Sequence, residues 1–176
     1  MAEVLIENNE ERQLIQGAYR DLLRSIKSDV YEEDRVNIRA AYELAVQAHA
    51  AQRRKSGEPY ILHPIAVAKI CADEIGLGPT AIICALLHDV VEDTEVTLED
   101  IREQFGARIA KIVDGLTKLD SAYNAESPQA ENFRKVLSTL VDDVRVVLIK
   151  MADRLHNMRT LGAMPRHKQL KIAAET

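Results

Sequence analysis

TAIICALLHDVVEDT, residues 80–94, is the stretch that decides the fold. Its first part is apolar almost all round, which is typical of a helix enclosed by other helices in the middle of a bundle. It then ends in four ionisable residues, His88, Asp89, Glu92 and Asp93. A buried carboxylate without a partner would cost several kcal/mol or take up a proton, and a divalent cation removes that cost. The stretch therefore predicts a central helix with a metal site at its end.

The composition of the chain favours an all-α fold. The chain has 176 residues, which suits a single domain over residues 1–176. Apolar residues make up 47%, there is no Trp, and only 7 Gly and 5 Pro are available for turns. Apolar residues recur with helical periodicity along most of the chain. We therefore expect a helical bundle of about eight to ten helices.

The periodicity and the turn residues place the helices and the loops between them. A basic loop, QRRKSGEPY (52–60), and a polar loop, DSAYNAES (120–127), interrupt the pattern. TLED (97–100) resembles a helix start in which Thr97 is the N-cap and Asp100 the acid three residues later. The predicted helices cover about 9–26, 34–51, 63–76, 80–90, 98–106, 107–119, 128–141, 143–161 and 165–176.

Charge and cysteine content exclude several classes of function. The net charge of −5 and the pI near 5.6 argue against general nucleic-acid binding. The longest apolar run, 81–87, is far too short to span a bilayer, and the start of the chain has no apolar signal core. Cys71 and Cys84 form no CxxC pair, which favours free thiols in a reducing compartment. We expect a cytoplasmic protein that contacts neither membrane nor nucleic acid.

Two distant segments hold further candidate metal ligands. His63 stands at a predicted helix start, directly before Pro64, and Asp153 lies within VVLIKMADRLHNMRTL (146–161). At about 100° per residue, Asp153, Asn157 and Thr160 form a polar stripe roughly 150° from an apolar one. The apolar stripe consists of Val144, Val147, Leu148, Met151, Leu155 and Met158. The polar stripe is either a solvent-exposed face or the wall of a cavity, and spacing alone leaves both interpretations open.

A mixed set of imidazole and carboxylate ligands indicates the class of metal. Imidazole suits first-row transition ions, whereas carboxylate suits Mn²⁺ and Mg²⁺. The combination favours an octahedral, Mn-like ion over structural zinc. The order His, His-Asp, Asp is similar to the H…HD…D ligand pattern of the HD superfamily of metal-dependent phosphohydrolases. That resemblance implies metal ligation by His63, His88, Asp89 and Asp153.

Five ordered blocks resemble a narrower group, the hydrolase domain of RelA/SpoT-type alarmone enzymes. They are RRKSGEPYILHPIAVA (53–68), ALLHDVVEDT (85–94), DGLTKL (114–119), QAENFRK (129–135) and KMADRLHNMRTL (150–161). The resemblance implies an HD-domain helical bundle that uses Mn²⁺ to hydrolyse guanosine 3′,5′-bis(diphosphate), ppGpp, or its relative pppGpp. The products would be GDP (or GTP) and pyrophosphate, in control of the stringent response.

The resemblance also implies roles for further residues. Glu92 and Asp93, one helical turn past the ligands, would position or deprotonate the attacking water. The nucleotide would be bound by residues of the basic loop (52–60) and of the polar stripe that contains Asp153. These are Arg54, Lys55, Ser56, Tyr60, Asn157 and Thr160. In the loop, Gly57 allows close approach of backbone to a ligand, and an Arg guanidinium can stack on a base or bind phosphate through two donors.

Some expectations concern the parent chain. The ending KQLKIAAET (168–176) resembles a cut through a longer protein, at the point where long members continue toward a synthetase domain. No synthetase motif is present, so these residues are not expected to make ppGpp. A long parent would belong among enzymes also named GTP pyrophosphokinase, and would be expected to associate with the ribosome.

Two alternative functions stay open at this point. One is a different HD-type nucleotide phosphohydrolase, against which the RKSG loop weighs. The other is a non-catalytic module that senses ppGpp, against which the intact Glu92-Asp93 pair weighs. Three other histidines are predicted to be structural or on the surface. They are His49, His156 and His167.

Overall fold

The computed structural model describes residues 9–124 and 143–175, and within these ranges the chain is helical with no β-strand. The nearest approach to a strand pair there is one isolated antiparallel bridge between Arg53 and Pro59. The predicted all-α fold is confirmed. The α-helices are α1 Asn9–Ser25, α2 Glu32–Ala48, α3 Leu62–Ile70, α4 Pro79–Leu86, α5 Val90–Asp93, α6 Leu98–Phe105, α7 Ala107–Asn124, α8 Val144–Arg159 and α9 Arg166–Glu175.

Helix α4 is the centre of the bundle, as its sequence predicts. Gly78 precedes it in an extended conformation and Pro79 is its first residue, where a missing N–H costs nothing. Every residue from Ala81 to Leu86 is buried, and the helix packs against α2, α3, α7 and α8. An apolar helix of this kind is stable because neighbours cover all of its sides.

Helix α3 lies between α1, α4 and α8. It continues into one π-helical turn, Cys71–Ile75, which ends at Gly76 in the left-handed region with φ 79°. A left-handed glycine is a common helix terminator because it has no Cβ to clash with the preceding turn. At its other end, the first turn of α3 presents His63 toward α8, and only 2% of this histidine is exposed.

The predicted cap at Thr97 is confirmed. Thr97 Oγ accepts a hydrogen bond from the Asp100 amide, and the Asp100 carboxylate accepts one from the Thr97 amide at 2.8 Å. Helix α6 then ends at Gly106, and α7 packs against both α6 and α8. At the contact between α7 and α8, a Cβ added to Gly115 would lie 3.0 Å from Cγ2 of Val146. The absence of a side chain at Gly115 therefore lets α8 approach α7 closely at this point.

Two predicted boundaries are wrong. The central helix was expected to run through His88 and Asp89 to Val90, but α4 ends at Leu86 and a separate one-turn helix begins at Val90. Residues 120–124 were expected to be loop, but α7 continues through them to Asn124. The segment 120–124 contains neither Gly nor Pro, the two residues that most disfavour a helix interior, so the helix can continue through it.

The orientation of α8 settles the question its two stripes left open. Asp153 is 5% exposed and Lys150 9%, so the polar stripe faces the interior. Part of the apolar stripe faces outward instead, with Val144 51%, Met151 60% and Leu155 38% exposed. The inward face of α8 is kept apolar by Val146, Ile149 and Ala152 around the charged residues.

The predicted helix over 128–141 and the QAENFRK block lie outside the described residues. In the parts of the chain that are described, no helix is both long and apolar enough to cross a membrane.

Candidate active site

Three separate segments bring the predicted metal ligands together. His63 comes from the start of α3, His88 and Asp89 from the turn between α4 and α5, and Asp153 from the middle of α8. Nε2 of His63 lies 3.0 Å from Oδ1 of Asp153, and Nε2 of His88 lies 2.9 Å from Oδ2 of Asp89. One ligand atom each of His63, His88 and Asp153 lies within 4.8 Å of the other two.

Asp89 joins this group through the two histidines. Its Oδ2 is 2.9 Å from Nε2 of His88 and 3.8 Å from Nε2 of His63. All four side chains are buried or nearly so, with Asp89 the most open at 13% exposed. Two imidazoles and two carboxylates therefore converge on one small volume, which is the donor set of a divalent metal site.

The state of His88 fits a metal ligand. Its Nδ1 donates to the Ala85 carbonyl at 2.7 Å, so Nε2 is the ring atom that faces the carboxylates. That Nε2 is fully buried and lies 2.9 Å from Oδ2 of Asp89. Burial would lower the pKa of His88, but the charges and hydrogen bonds of Asp89 and Asp153 outweigh it and raise that pKa well above its ordinary value, so a metal ion bound at Nε2 replaces a proton there.

The break after α4 creates this geometry. In a continuous helix the Ala85 carbonyl would accept a hydrogen bond from the amide of Asp89. Here it accepts one from the His88 ring, and the chain turns through 87–89 before α5 begins. The next helix is anchored by a bond from the Asp93 amide to the Asp89 carbonyl at 2.9 Å. The turn lets adjacent residues, His88 and Asp89, direct both side chains to the same point.

Each ligand is oriented by a second residue. Asp153 accepts from Nζ of Lys150 at 2.6 Å and from Nδ2 of Asn157 at 2.9 Å. The phenol of Tyr60 donates to Oδ2 of Asp89 at 2.6 Å. Partners of this kind fix the orientation of metal ligands and commonly affect metal affinity.

His63 has its own orienting partner in His156. The Nδ1 atoms of the two rings are 2.7 Å apart, so one ring carries the proton and the other accepts it. The sequence predicted that His156 would pack or form hydrogen bonds rather than bind metal, and this contact agrees with that. His156 lies within the sequence RLHNM (154–158), but nothing in that local sequence indicates that its partner is His63.

The protonation states suit metal binding. Burial would raise the pKa of Asp89, but the charge and hydrogen bond of His88 outweigh it and hold that pKa below its ordinary range. Burial likewise opposes ionisation of Asp153, and the hydrogen bonds of His63 and His88 reverse the effect, so its pKa is lowered as well. Burial lowers the pKa of His63, which keeps its imidazole neutral. Ionised carboxylates and a neutral imidazole are the forms that bind metal.

The predicted nucleotide residues gather on one side of this cluster. Arg54, whose side chain is 10% exposed, donates to Oγ1 of Thr160 at 2.9 Å and, more weakly, to Oδ1 of Asn157 at 3.4 Å. Arg54, Lys55, Ser56 and Thr160 line one cavity of about 260 Å³. The basic loop and the end of α8 are thus the two walls of a single pocket.

The pocket carries cations that the sequence did not single out for it. Arg159 lines the cavity, where its guanidinium is paired with Glu74 at 2.6 Å. Lys168 on α9 lies near Lys55, and its hydrogen bond to that residue, together with its positive charge, lowers the pKa of Lys55. Two like charges brought together favour the uncharged form of one of them or the binding of an anion. The two residues are far apart in the chain, so their proximity has no local signal in the sequence.

Tyr60, Glu92 and Asp93 do not line the Arg54 cavity but lie close to the buried cluster. Tyr60 is only partly exposed and donates a hydrogen bond directly to the predicted ligand Asp89. Glu92 and Asp93 are exposed on α5, immediately beyond the ligands. The charge of Asp93 contributes to raising the pKa of Tyr60, after burial and Asp89, so that carboxylate lies near the cluster.

A larger cavity, of about 920 Å³, lies elsewhere, between α1 and α2. It is lined by residues such as Tyr19, Arg35 and Tyr42, and it contains none of the predicted site residues. The chemistry of the side chains, rather than cavity size, therefore locates the candidate active site.

Comparison with known families agrees with this arrangement. The sequence profile of the HD domain matches residues 41–176. The chain belongs to the HD domain family, whose members are metal-dependent. The matched range includes all four residues of the buried cluster and every residue that lines the Arg54 cavity.

The chain is similar to several bacterial enzymes that are named for reactions of ppGpp or GTP. It is 47% identical, over 159 residues, to the guanosine-3′,5′-bis(diphosphate) 3′-pyrophosphohydrolase of Vibrio cholerae, covering 89% of this chain and 22% of that one. It is 46% identical, over 160 residues, to the bifunctional (p)ppGpp synthase/hydrolase SpoT of Escherichia coli K12, covering 90% and 23%. It is 51% identical, over 139 residues, to the GTP pyrophosphokinase of Streptomyces coelicolor, covering 79% and 16%.

A solved structure has the same fold. It is described as a metazoan ortholog of SpoT that hydrolyses ppGpp and plays a role in starvation responses. The two chains superpose with a TM-score of 0.66 and 27% sequence identity, over 84% of this chain and 83% of that one. By contrast, the chain spans only about a fifth of the length of the curated bacterial relatives it matches.

Proposed function

We propose that this chain hydrolyses the 3′ diphosphate of ppGpp or pppGpp, releasing pyrophosphate and GDP or GTP. The observation that carries the proposal is the junction of two features. The buried cluster of His63, His88, Asp89 and Asp153 adjoins a cationic pocket, and Asn157 contacts both Asp153 and Arg54. The names of the bacterial relatives and of the metazoan structure support the choice of substrate.

We propose Mn²⁺ as the ion held by His63, His88, Asp89 and Asp153. Two imidazole nitrogens with two carboxylates suit a borderline ion that accepts both donor types. When bound, such an ion neutralises charge on the diphosphate and makes water acidic enough to react near neutral pH. The neutral His63 and the ionised Asp89 and Asp153 support this role, because among the four ligands only His88 has to lose a proton first.

Glu92 and Asp93 are the proposed catalytic acids. In the overall reaction, water adds to the phosphorus attached to the ribose 3′ oxygen, and the bond between them breaks. One proton of the water leaves, and one proton ends on the 3′ oxygen of the product. A carboxylate one turn beyond the ligands can hold the water in line and accept that first proton. Their exposure on α5 supports the role, since the attacking water has to reach them.

The nucleotide is proposed to lie across the Arg54 pocket. Arg54 and Lys55 would contact phosphate or stack on the base, and Ser56 would add a hydroxyl donor. Asn157 and Thr160 would contact the nucleoside from the end of α8. Tyr60 remains in this set, and its bond to Asp89 supports a further role in orienting that ligand.

The proposal extends to the longer enzyme to which this domain would belong. Residues 1–176 would form one hydrolase domain of a longer enzyme acting in the stringent response. We propose that this enzyme is cytoplasmic and that the parent chain associates with the ribosome.

The test combines metal analysis with product analysis. Purified protein is stripped with chelator and reloaded with Mn²⁺, Mg²⁺ or Zn²⁺, and pyrophosphate and guanosine nucleotides are measured after addition of ppGpp. We expect Mn²⁺ to give equal amounts of pyrophosphate and GDP. Cleavage of nucleoside monophosphates with ppGpp untouched would instead assign another HD-type phosphohydrolase. Binding of ppGpp with no pyrophosphate released would assign a sensing module.

A further inference from the structure

The side chain of Gln52 connects His49, which follows α2, to Asp93 at the end of α5. Gln52 follows α2, in the loop that leads to Arg54. Its Nε2 donates to the main-chain carbonyl of Asp93 at 2.7 Å. Its Oε1 lies 2.8 Å from Nδ1 of His49. One amide therefore bridges α2 to the end of the short helix that carries the acidic pair.

The chemistry of the two bonds fixes the protons. The Asp93 carbonyl can only accept, so the amide nitrogen of Gln52 faces it and the amide oxygen faces His49. Nδ1 of His49 therefore carries the proton and donates to Gln52. His49 is 1% exposed, and burial lowers its pKa, so the ring stays neutral. A rigid, buried donor thus holds the amide in one orientation.

Helix α5 needs such an anchor. Val90–Asp93 is a single turn, and a helix that short is not stable alone. The last carbonyls of a helix have no partner within it, and Gln52 supplies one for Asp93. The acidic pair is thus held from outside its own helix.

Gln52 also organises the nucleotide side. Its carbonyl accepts from the Tyr60 amide at 3.1 Å, which closes the basic loop at its base. The Tyr60 phenol in turn donates to Asp89, and its ring lies 4.8 Å from that of His49. The same residue is therefore bonded to the loop that carries Arg54 and to the helix that carries Glu92.

We infer that Gln52, oriented by His49, is a positioning residue that fixes the Glu92–Asp93 turn relative to the nucleotide loop. Gln52 is not one of the proposed metal ligands, and it does not line the Arg54 cavity. The inference rests on the proposed function for its kinetic consequence, but its structural consequence does not depend on any activity. Loss of the Gln52 donor frees the end of α5, so the carboxylates sample positions out of line with the substrate.

The first test needs no substrate. Gln52→Met removes both hydrogen bonds at similar size, and Gln47→Ala is the matched control, because Gln47 is an exposed glutamine near the end of α2, the helix that Gln52 follows. Amide hydrogen exchange is measured over 87–96 in Mn²⁺-loaded protein. We expect exchange in this segment to be faster by about 10-fold or more in Gln52→Met and unchanged in Gln47→Ala. Unchanged exchange in Gln52→Met would overturn the inference.

The second test separates positioning from general damage. We expect kcat for ppGpp to fall by about 10- to 100-fold in Gln52→Met, with KM and Mn²⁺ affinity unchanged. Wild-type kcat, or a parallel loss of Mn²⁺ affinity and melting temperature, would overturn the inference. Gln52→Glu keeps the oxygen that faces His49 but not the donor to Asp93, and it carries both tests if Gln52→Met fails to fold. If the wild-type protein does not cleave ppGpp, the proposed function fails, and the exchange experiment still decides whether Gln52 holds α5.

Discussion

His63 and His156, 93 residues apart, face each other through Nδ1 atoms 2.7 Å apart. When Nε2 of His63 is used to bind metal, the proton lies on its Nδ1, which donates to His156. His156 can accept it because burial, followed by the charges of His63 and Arg54, lowers the pKa of His156 to about 4 and keeps its ring neutral. A neutral His156 that accepts at Nδ1 is compatible with the tautomer of His63 that leaves Nε2 available to a cation.

Replacing His156 tests whether this residue sets the tautomer of His63. His156→Phe keeps an aromatic ring and removes the acceptor, so His63 loses its preferred tautomer. We expect Mn²⁺ affinity to fall by about 10- to 100-fold, measured by calorimetry. His167→Phe, at an exposed position on α9, is the control and should bind Mn²⁺ as the wild type does. Equal affinity in the two variants would show that His156 only packs.

Asp153 should be needed for the metal but not for the helices. Asp153→Ala removes one ligand and leaves Lys150 without the carboxylate it contacts. We expect Mn²⁺ binding and hydrolysis to be lost and the melting temperature to fall, while far-UV circular dichroism stays helical. Asp73→Ala, which removes an exposed carboxylate paired with Lys27, should leave binding and activity intact. Mn²⁺ binding at wild-type strength in Asp153→Ala would remove Asp153 from the ligand set.

Glu92 should matter for turnover alone. Glu92→Gln keeps the size of the side chain and removes its capacity to accept a proton. We expect kcat to fall by about 10²- to 10⁴-fold, with Mn²⁺ and ppGpp still bound. Glu95→Gln, an exposed acid three residues on, is the control. Retention of the wild-type rate in Glu92→Gln would exclude Glu92 from the reaction.

Adjacent arginines give a matched pair for the nucleotide pocket. Arg54 points inward to Thr160, whereas Arg53 points away and pairs with Glu11 at 3.1 Å. Loss of a charged hydrogen bond to substrate costs about 1.5–3 kcal/mol, so we expect Arg54→Ala to raise KM for ppGpp by about 10- to 100-fold. Arg53→Ala should leave KM near the wild-type value. Similar KM values for both variants would contradict the proposed pocket.

His49 should make stability depend on pH. Burial lowers its pKa in the folded protein, so between that pKa and its ordinary value the unfolded chain binds more protons. The contribution of His49 is therefore complete above the ordinary pKa of about 6.5 and decreases as the pH falls below it. We expect His49→Gln to destabilise the protein more at pH 8 than at pH 5, measured by urea unfolding. An equal difference at both pH values would show that His49 titrates normally.

Local sequence was sufficient for much of the fold. Helix α4 was predictable because its residues are apolar on every side, and α6 because Thr97 and Asp100 form a recognisable cap. The break at 87–89 was not, because it depends on the His88 ring replacing a backbone donor at the Ala85 carbonyl. Hydrophobic periodicity contains no information about such an exchange.

Helix α8 shows a different limit. Spacing left open which of its two stripes faces inward, and in the structure Met151 is 60% exposed while Lys150 and Asp153 are buried. Burying a charge is unfavourable unless it is paired, and here Lys150, His63 and His88 surround Asp153. The orientation is therefore set by partners elsewhere in the chain. The same holds for Arg54 and Thr160, which are 106 residues apart and whose contact only the folded chain reveals.

Because the ring of His88 both donates to the Ala85 carbonyl and belongs to the proposed metal site, loss of activity in a His88 variant has two explanations. Removing the imidazole would leave the Ala85 carbonyl to accept from the Asp89 amide, so α4 would extend and the acidic residues that follow would move. An inactive His88→Ala protein would thus report altered backbone as much as missing metal. Asp153 is the better position for removing the metal, because its bonds to Lys150 and Asn157 join side chains and leave the backbone of α8 in place.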